Sequence, residues 1–235
     1  MIAVTFALSA ESSGFVRSLR TLSLVSHEGV ESIRGEIHGR AVAILHTGVG
    51  EKSCREKIEI FLRRQKFQYL ISAGFAGALD EQLSVGDLIL SENFSSPELL
   101  HSPRFKFVSD KIFTGNLVTS RAMIESKSDR ARLAQENDAV AVDMETEFIA
   151  AACAGHQLPM LSVRAISDTV SAPFPAPGHV LFDLEKQRTN FLRLARYLVA
   201  HPRAIGRLNS FRRQVAVARK SLTEALETFL GHDLI

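Results

Sequence analysis

The stretch "AVAVDMETEFIAAACAGHQLPMLSVRAISDTV", residues 139–170, decides how the chain is read. Two apolar runs of strand length, 139–144 and 159–167, flank a helical pattern over 146–158. Runs apolar on both faces belong in the centre of a sheet covered by helices. Yet the first run ends in Asp143, Met144 and Glu145, and the second in Ser167 and Asp168. Carboxylates at the ends of buried strands lose hydration and persist where something uses their charge. A plainer reading is that Asp143, Glu145 and Glu147 start a helix, whose positive end favours acids.

Working outward, the same apolar type recurs at 2–8, 41–48, 68–77, 85–94 and 115–120, making seven strands in all. Further helical patterns cover 51–65 and 129–137, and from residue 183 the chain reads as helix, broken near Pro202. The expected architecture is α/β, a mostly parallel or mixed sheet flanked by helices, with sites at the carboxyl ends of strands. Nothing resembles a linker. A main domain spans 1–200, followed by an amphipathic helical extension over 201–235.

Composition narrows the function. Apolar residues make up 46% and charged ones 23%, the profile of a globular protein with a sizeable core. The net charge of +2, from 28 basic and 26 acidic residues, argues against a nucleic-acid partner. Cys54 and Cys153 lie in apolar helical patterns without metal-ligand neighbours, as buried reduced thiols of a cytoplasmic protein do. No segment reaches the ~18 apolar residues of a membrane span. The N-terminal run lacks a basic leader and reads as a first strand rather than a signal peptide.

Several chemistries drop out. "HTGVGEKS" (46–53) has Gly48 and Gly50, but Ser53 and the absence of a later acid spoil a dinucleotide fingerprint. Its glycines still let a backbone turn approach an anion or small ligand. No GxxxxGK[ST] or GxSxG occurs, and His46 and His101 lack metal-ligand spacing, so neither cofactor nor metal is expected. What remains is Glu11, Glu145 and Asp168 after three strands, with Arg164 on the last. Such a set suits cleavage of a glycosidic bond: one acid protonates the leaving group and another activates water.

"FALSAES", "SAGFAGALDEQLSVGDLILSENF" and "AVDMETEFIAAACAGHQLPMLSVRAISD" together resemble the purine nucleoside phosphorylase and nucleosidase superfamily. The strongest likeness is to the methylthioadenosine/S-adenosylhomocysteine nucleosidases, and its most specific part pairs "VDMET" with "RAISD". The resemblance implies a three-layer α/β/α fold with a central mixed sheet, assembled as an oligomer, a dimer being favoured. It implies a small-molecule nucleoside substrate. Asp168, with Ser167 beside it, would protonate the purine. Glu145 and Met144 would hold the ribose hydroxyls, Glu11 would activate water and Arg164 would steady the carboxylates. Gly74, Gly77 and Ile124 would line the site. The chain departs from the pattern at Phe75, where nucleosidases carry a serine, and at Met123, where they stack an aromatic ring on adenine. Both changes point to an unusual 5′ substituent. A phosphorylase is the alternative, with Arg40 or Arg55 at an anion site; a silent nucleoside-binding module is a third.

The tail from about residue 173 is longer than in compact nucleosidases and resembles the hopanoid-associated branch. Ile205, Leu208, Phe211, Val215, Leu222, Leu226 and Phe229 form one apolar helical face, with Arg203, Arg207, Arg213 and Lys220 largely off it and Arg212 and Arg219 at its border. Over 203–229 this face either meets an anionic membrane surface or packs on the protein.

Overall fold

The computed structural model describes residues 1–107, 111–171, 176–177, 180, 196–197 and 200–231. Nine strands form the sheet: β1 (Ile2–Phe6), β2 (Arg20–His27), β3 (Val30–Ile37), β4 (Arg40–His46), β5 (Leu70–Ala78), β6 (Leu88–Ser91), β7 (Ile112–Thr119), β8 (Ala139–Asp143) and β9 (Met160–Asp168). Among the described residues, the helices with full bounds are α1 (Ser9–Ser18), α2 (Glu51–Arg63), α3 (Pro97–Leu100), α4 (Lys127–Asn137), α5 (Thr146–Gly155) and α6 (Arg203–Gly231). The expected helix over 183–201 lies almost wholly outside the described residues.

The seven expected strands are present, and the sheet is mixed. The strand order is β2-β3-β4-β1-β5-β8-β7-β6-β9, with a further pairing of β5 to β9. That last pairing closes β5, β8, β7, β6 and β9 on themselves. β5 therefore has three neighbours: β1 and β9 run parallel to it, and β8 meets its end antiparallel.

Alternation along the strands explains the two helical layers. Ile2, Val4 and Phe6 of β1 and Val42 and Ile44 of β4 pack with Phe15 of α1 and Leu222, Leu226 and Phe229 of α6. Ala3, Ala43 and Leu45 face the other way, against Cys54, Ile58 and Phe61 of α2 and Phe148, Ile149 and Cys153 of α5. Both cysteines are buried and free. Each large apolar side chain so placed contributes roughly 1.5–3 kcal/mol.

Sequence reading did not find β2, β3, α1 or the short α3. β2 is an edge strand with almost no buried residue, Leu24 being 66% exposed, so it lacks the apolar face that marks a strand. Its turn and the next are two-residue loops, Glu28-Gly29 and His38-Gly39, with positive φ at both positions. That geometry matches the strand twist, although neither pair is the usual Asn-Gly or Asp-Gly.

Candidate active site

The carboxyl ends of β5, β8 and β9, with the start of α1 after β1, surround a cavity of about 800 Å³. Register brings them together: Gly77 of β5 lies opposite Asp168 of β9 and opposite Val142 of β8. Glu11, Phe75, Gly77, Met123, Ile124, Met144, Glu145, Ser167 and Asp168 all line this space. Gly74 and Arg164 do not. Gly74 lies behind Glu11, where a β-carbon would sit 3.3 Å from Oε1.

Glu11 occupies the first turn of α1, and its carboxylate is held by backbone. Oε2 accepts from the Leu8 N–H at 2.9 Å and Oε1 from the Phe75 N–H at 3.0 Å. Burial raises its pKa, and the two N–H donors and Arg164 offset part of that rise. A carboxyl moved up toward neutrality suits a base that takes a proton from water.

Glu145 immediately precedes α5 without capping it through its side chain, and its Oε1 accepts from the Gly50 N–H at 2.9 Å. Gly50 has φ 87°, a conformation that glycine adopts without strain, so the 48–50 turn reaches the site through its amide. Burial, then the neighbouring Asp143 charge, push the Glu145 carboxyl up to about 8, against the Gly50 N–H. Asp168, 1% exposed, accepts from Ser167 Oγ at 2.9 Å and is ion-paired with Arg130. Burial raises its pKa while Arg130 and Ser167 pull it down. A β-carbon at Gly77 would lie 3.0 Å from Asp168 Oδ2, which explains the glycine.

Asp143 forms part of the cavity floor, and Arg164 lies beneath it. Arg164 Nε donates to Asp143 Oδ2 at 3.0 Å, and its Nη atoms donate to Ser72 O at 2.6 Å and Ser72 Oγ at 2.8 Å. Asp143 also accepts from Thr119 Oγ1 at 2.8 Å and from the Thr146 N–H at 3.1 Å. Asp143 therefore does start a helix, as the plainer reading had it, but it also anchors an arginine. Glu145 lines the cavity beside it, and takes a backbone amide in place of an arginine.

Arg130 escaped the sequence reading. It is the one buried residue of α4, 2% exposed, and also donates to Ala78 O at 2.9 Å. A helix that buries a cation instead of an apolar stripe gives no periodic signal. α6 also walls the cavity, through Leu208, Phe211 and Val215, and this was missed too, because an apolar stripe does not reveal what it covers. Arg40 and Arg55 are not among the cavity walls. Arg55 pairs with Glu51 at 2.9 Å and lies over the Phe148 ring.

Three buried carboxyls with raised pKa values, set around an apolar cavity, can hold and deliver protons to a bound neutral molecule. The phosphorylase superfamily profile matches residues 1–110 and 106–200. A 5'-methylthioadenosine/S-adenosylhomocysteine nucleosidase of Staphylococcus aureus (strain JH9) is 27% identical over 196 residues, 72% of this chain and 86% of that protein. Among solved structures, the nucleosidase of the same name from Colwellia psychrerythraea 34H, in complex with adenine, has a TM-score of 0.74 at 19% identity, covering 98% of this chain and 94% of that one. The native futalosine hydrolase of Helicobacter pylori strain 26695 has a TM-score of 0.70 at 16% identity, covering 97% and 96%. These structural matches carry the fold, and the profile, matching most of the length, carries the family: the chain belongs to the phosphorylase superfamily.

Proposed function

We propose that the protein hydrolyses the N-glycosidic bond of a 5′-substituted adenine nucleoside, releasing adenine and a ribose derivative. The observation that carries this reading is the convergence of Glu11, Glu145 and Asp168, from three separate segments, on one cavity. The S. aureus relative, named as a nucleosidase, supports the same reaction class.

Asp168 gives its proton to N7 of the purine, so that the electrons of the breaking C1′–N9 bond leave on a neutral base. Glu145 and Met144 hold the ribose hydroxyls as positive charge develops on the ring. Water adds at C1′ and its proton passes to Glu11. Arg164 acts through Asp143 and Ser72, fixing the strand ends that carry these groups. Ser167 orients Asp168, while Met123 and Ile124 face the base. Met123 offers a polarizable surface in place of a stacked ring.

A phosphorylase would need cations around an anion beside C1′; Arg40 and Arg55 are not among the cavity walls, and the arginines that are either pair with Asp168 or lie on α6. Incubation with adenine nucleosides, with and without phosphate, tests the proposal. Free adenine and free sugar without phosphate support hydrolysis; a sugar 1-phosphate formed only with phosphate overturns it. The reading also carries a cytoplasmic location, in accord with the buried free thiols, and a homo-oligomer, a dimer being favoured.

A further inference from the structure

The apolar stripe of α6 meets two different surroundings. Toward the C-terminus, Ala218, Leu222, Leu226 and Phe229 are buried in the main core. Gly14 of α1 lets α6 approach, since a β-carbon there would collide with Thr223. Toward the N-terminus, Leu208, Phe211, Arg212, Val215, Ala216 and Arg219 recur at helical spacing and line the cavity. This half of the stripe covers the site, not the sheet.

The base, ribose and nucleophile positions of the proposed reaction occupy Asp168, Glu145 and Glu11. The α6 wall is left for whatever extends from C5′. It is apolar along Leu208, Phe211 and Val215 and carries cations at Arg212, Arg219 and the adjacent Arg213. Across the cavity, Asp168 is paired with Arg130, Glu145 accepts from Gly50, and Glu11 accepts from two backbone amides. Among the described residues, no carboxylate pairs with Arg212, Arg213 or Arg219; Arg219 makes only 3.4 Å contacts to Ala10 O and Ser13 Oγ. An apolar wall studded with arginines that lack anions fits a ligand that is apolar in its middle and negative at its end.

We infer that the 5′ substituent of the substrate is bulky and apolar and ends in an anionic group, which Arg212 and Arg219 hold against α6. This rests on the nucleosidase reading. The membrane surface that α6 would otherwise suit is the competing occupant.

The test uses the full chain and three 5′-alkylthio adenosines of equal length, ending in a methyl, a carboxylate or a phosphate. Base release should favour the anionic ends by about 10- to 100-fold in kcat/KM, the range of a charge-assisted hydrogen bond. Arg212→Gln and Arg219→Gln should each shrink that ratio toward one. Arg207→Gln, off the cavity wall, should not. A carboxylate preferred over a phosphate, or the reverse, identifies the anion. Equal rates for neutral and anionic ends would overturn the inference, as would a preference unchanged in both arginine variants. Sedimentation with anionic vesicles, lost in Arg212→Gln while the nucleoside ratio stays near one, would assign the arginines to a membrane instead. If no nucleoside releases base, the hydrolase reading falls separately. Calorimetric binding of the carboxylate compound then decides: tighter than the methyl compound and Arg212-dependent supports the inference, and equal binding overturns it.

Discussion

Asp143 and Glu145 stand two residues apart in one motif, and their surroundings are opposite. Asp143 belongs to a floor in which every charge has a partner: Arg164, Thr119 and Thr146 surround its oxygens. Glu145, like Glu11, lines the cavity with fewer donors than its oxygens can accept, whereas Asp168 there has an arginine partner as Asp143 does. A saturated buried pair fixes geometry. An under-satisfied buried carboxyl is a cost to the free protein that a bound nucleoside can offset, and such groups gather at functional sites. The same short sequence therefore supplies both the foundation and the working surface.

The contrast breaks most visibly at the floor. Arg164→Met leaves the Asp143 charge buried without its cation, so chemical denaturation should show a loss of about 3–5 kcal/mol. Replacing Asp143 by Leu in the same chain should recover part of that loss, because no lone charge remains. If Arg164→Met is as stable as the wild type, the floor is not the anchor described here.

At the working surface, Glu11→Gln should keep nucleoside binding and lose at least ~100-fold in base release, about 2.7 kcal/mol of barrier. Undiminished release would remove Glu11 as the base. A smaller effect attends Glu145. A 2′-deoxynucleoside withholds one hydroxyl from its carboxyl and should react more slowly by about 1–3 kcal/mol in kcat/KM. Equal rates on the two sugars would leave Glu145 without a sugar-holding role.

The smallest effect concerns pH. The folded protein holds a proton on Glu145 between the ordinary value of 4.5 and about 8, where the unfolded chain has released it. Stability from this group is thus present at low pH and falls as pH rises through that window. The raised Glu11 and Asp168 act in the same direction. Glu145→Gln should match the wild type near pH 4 and exceed it near pH 9 by on the order of 1–2 kcal/mol. A constant difference across that range would contradict the assigned burial.

The sequence showed the central strands because they are buried on both faces and read as unbroken apolar runs, and it showed the strand-end carboxylates because acids there are out of place. It concealed what depends on long-range neighbours. β2 and β3 carry no continuous apolar face. Arg130 meets Asp168 only through the closure of β5 on β9, and nothing local to "SDRARLAQEN" signals it. The stripe of α6 was legible from Leu208 to Phe229, Ile205 being 50% exposed and in neither half, but its division into a core half and a cavity half is a matter of where the helix lies. Phe75 and Met123, noted as departures from a family pattern, both lie on the cavity wall.

The central claim is that Asp168 makes the purine a leaving group, and Asp168→Asn tests it most directly. Asparagine keeps the shape and accepts hydrogen bonds but has no acidic proton to give. Single-turnover release of adenine from a bound 5′-substituted nucleoside should fall at least ~100-fold, with the nucleoside still bound. Release at the wild-type rate, from a variant that binds and folds normally, would contradict the account.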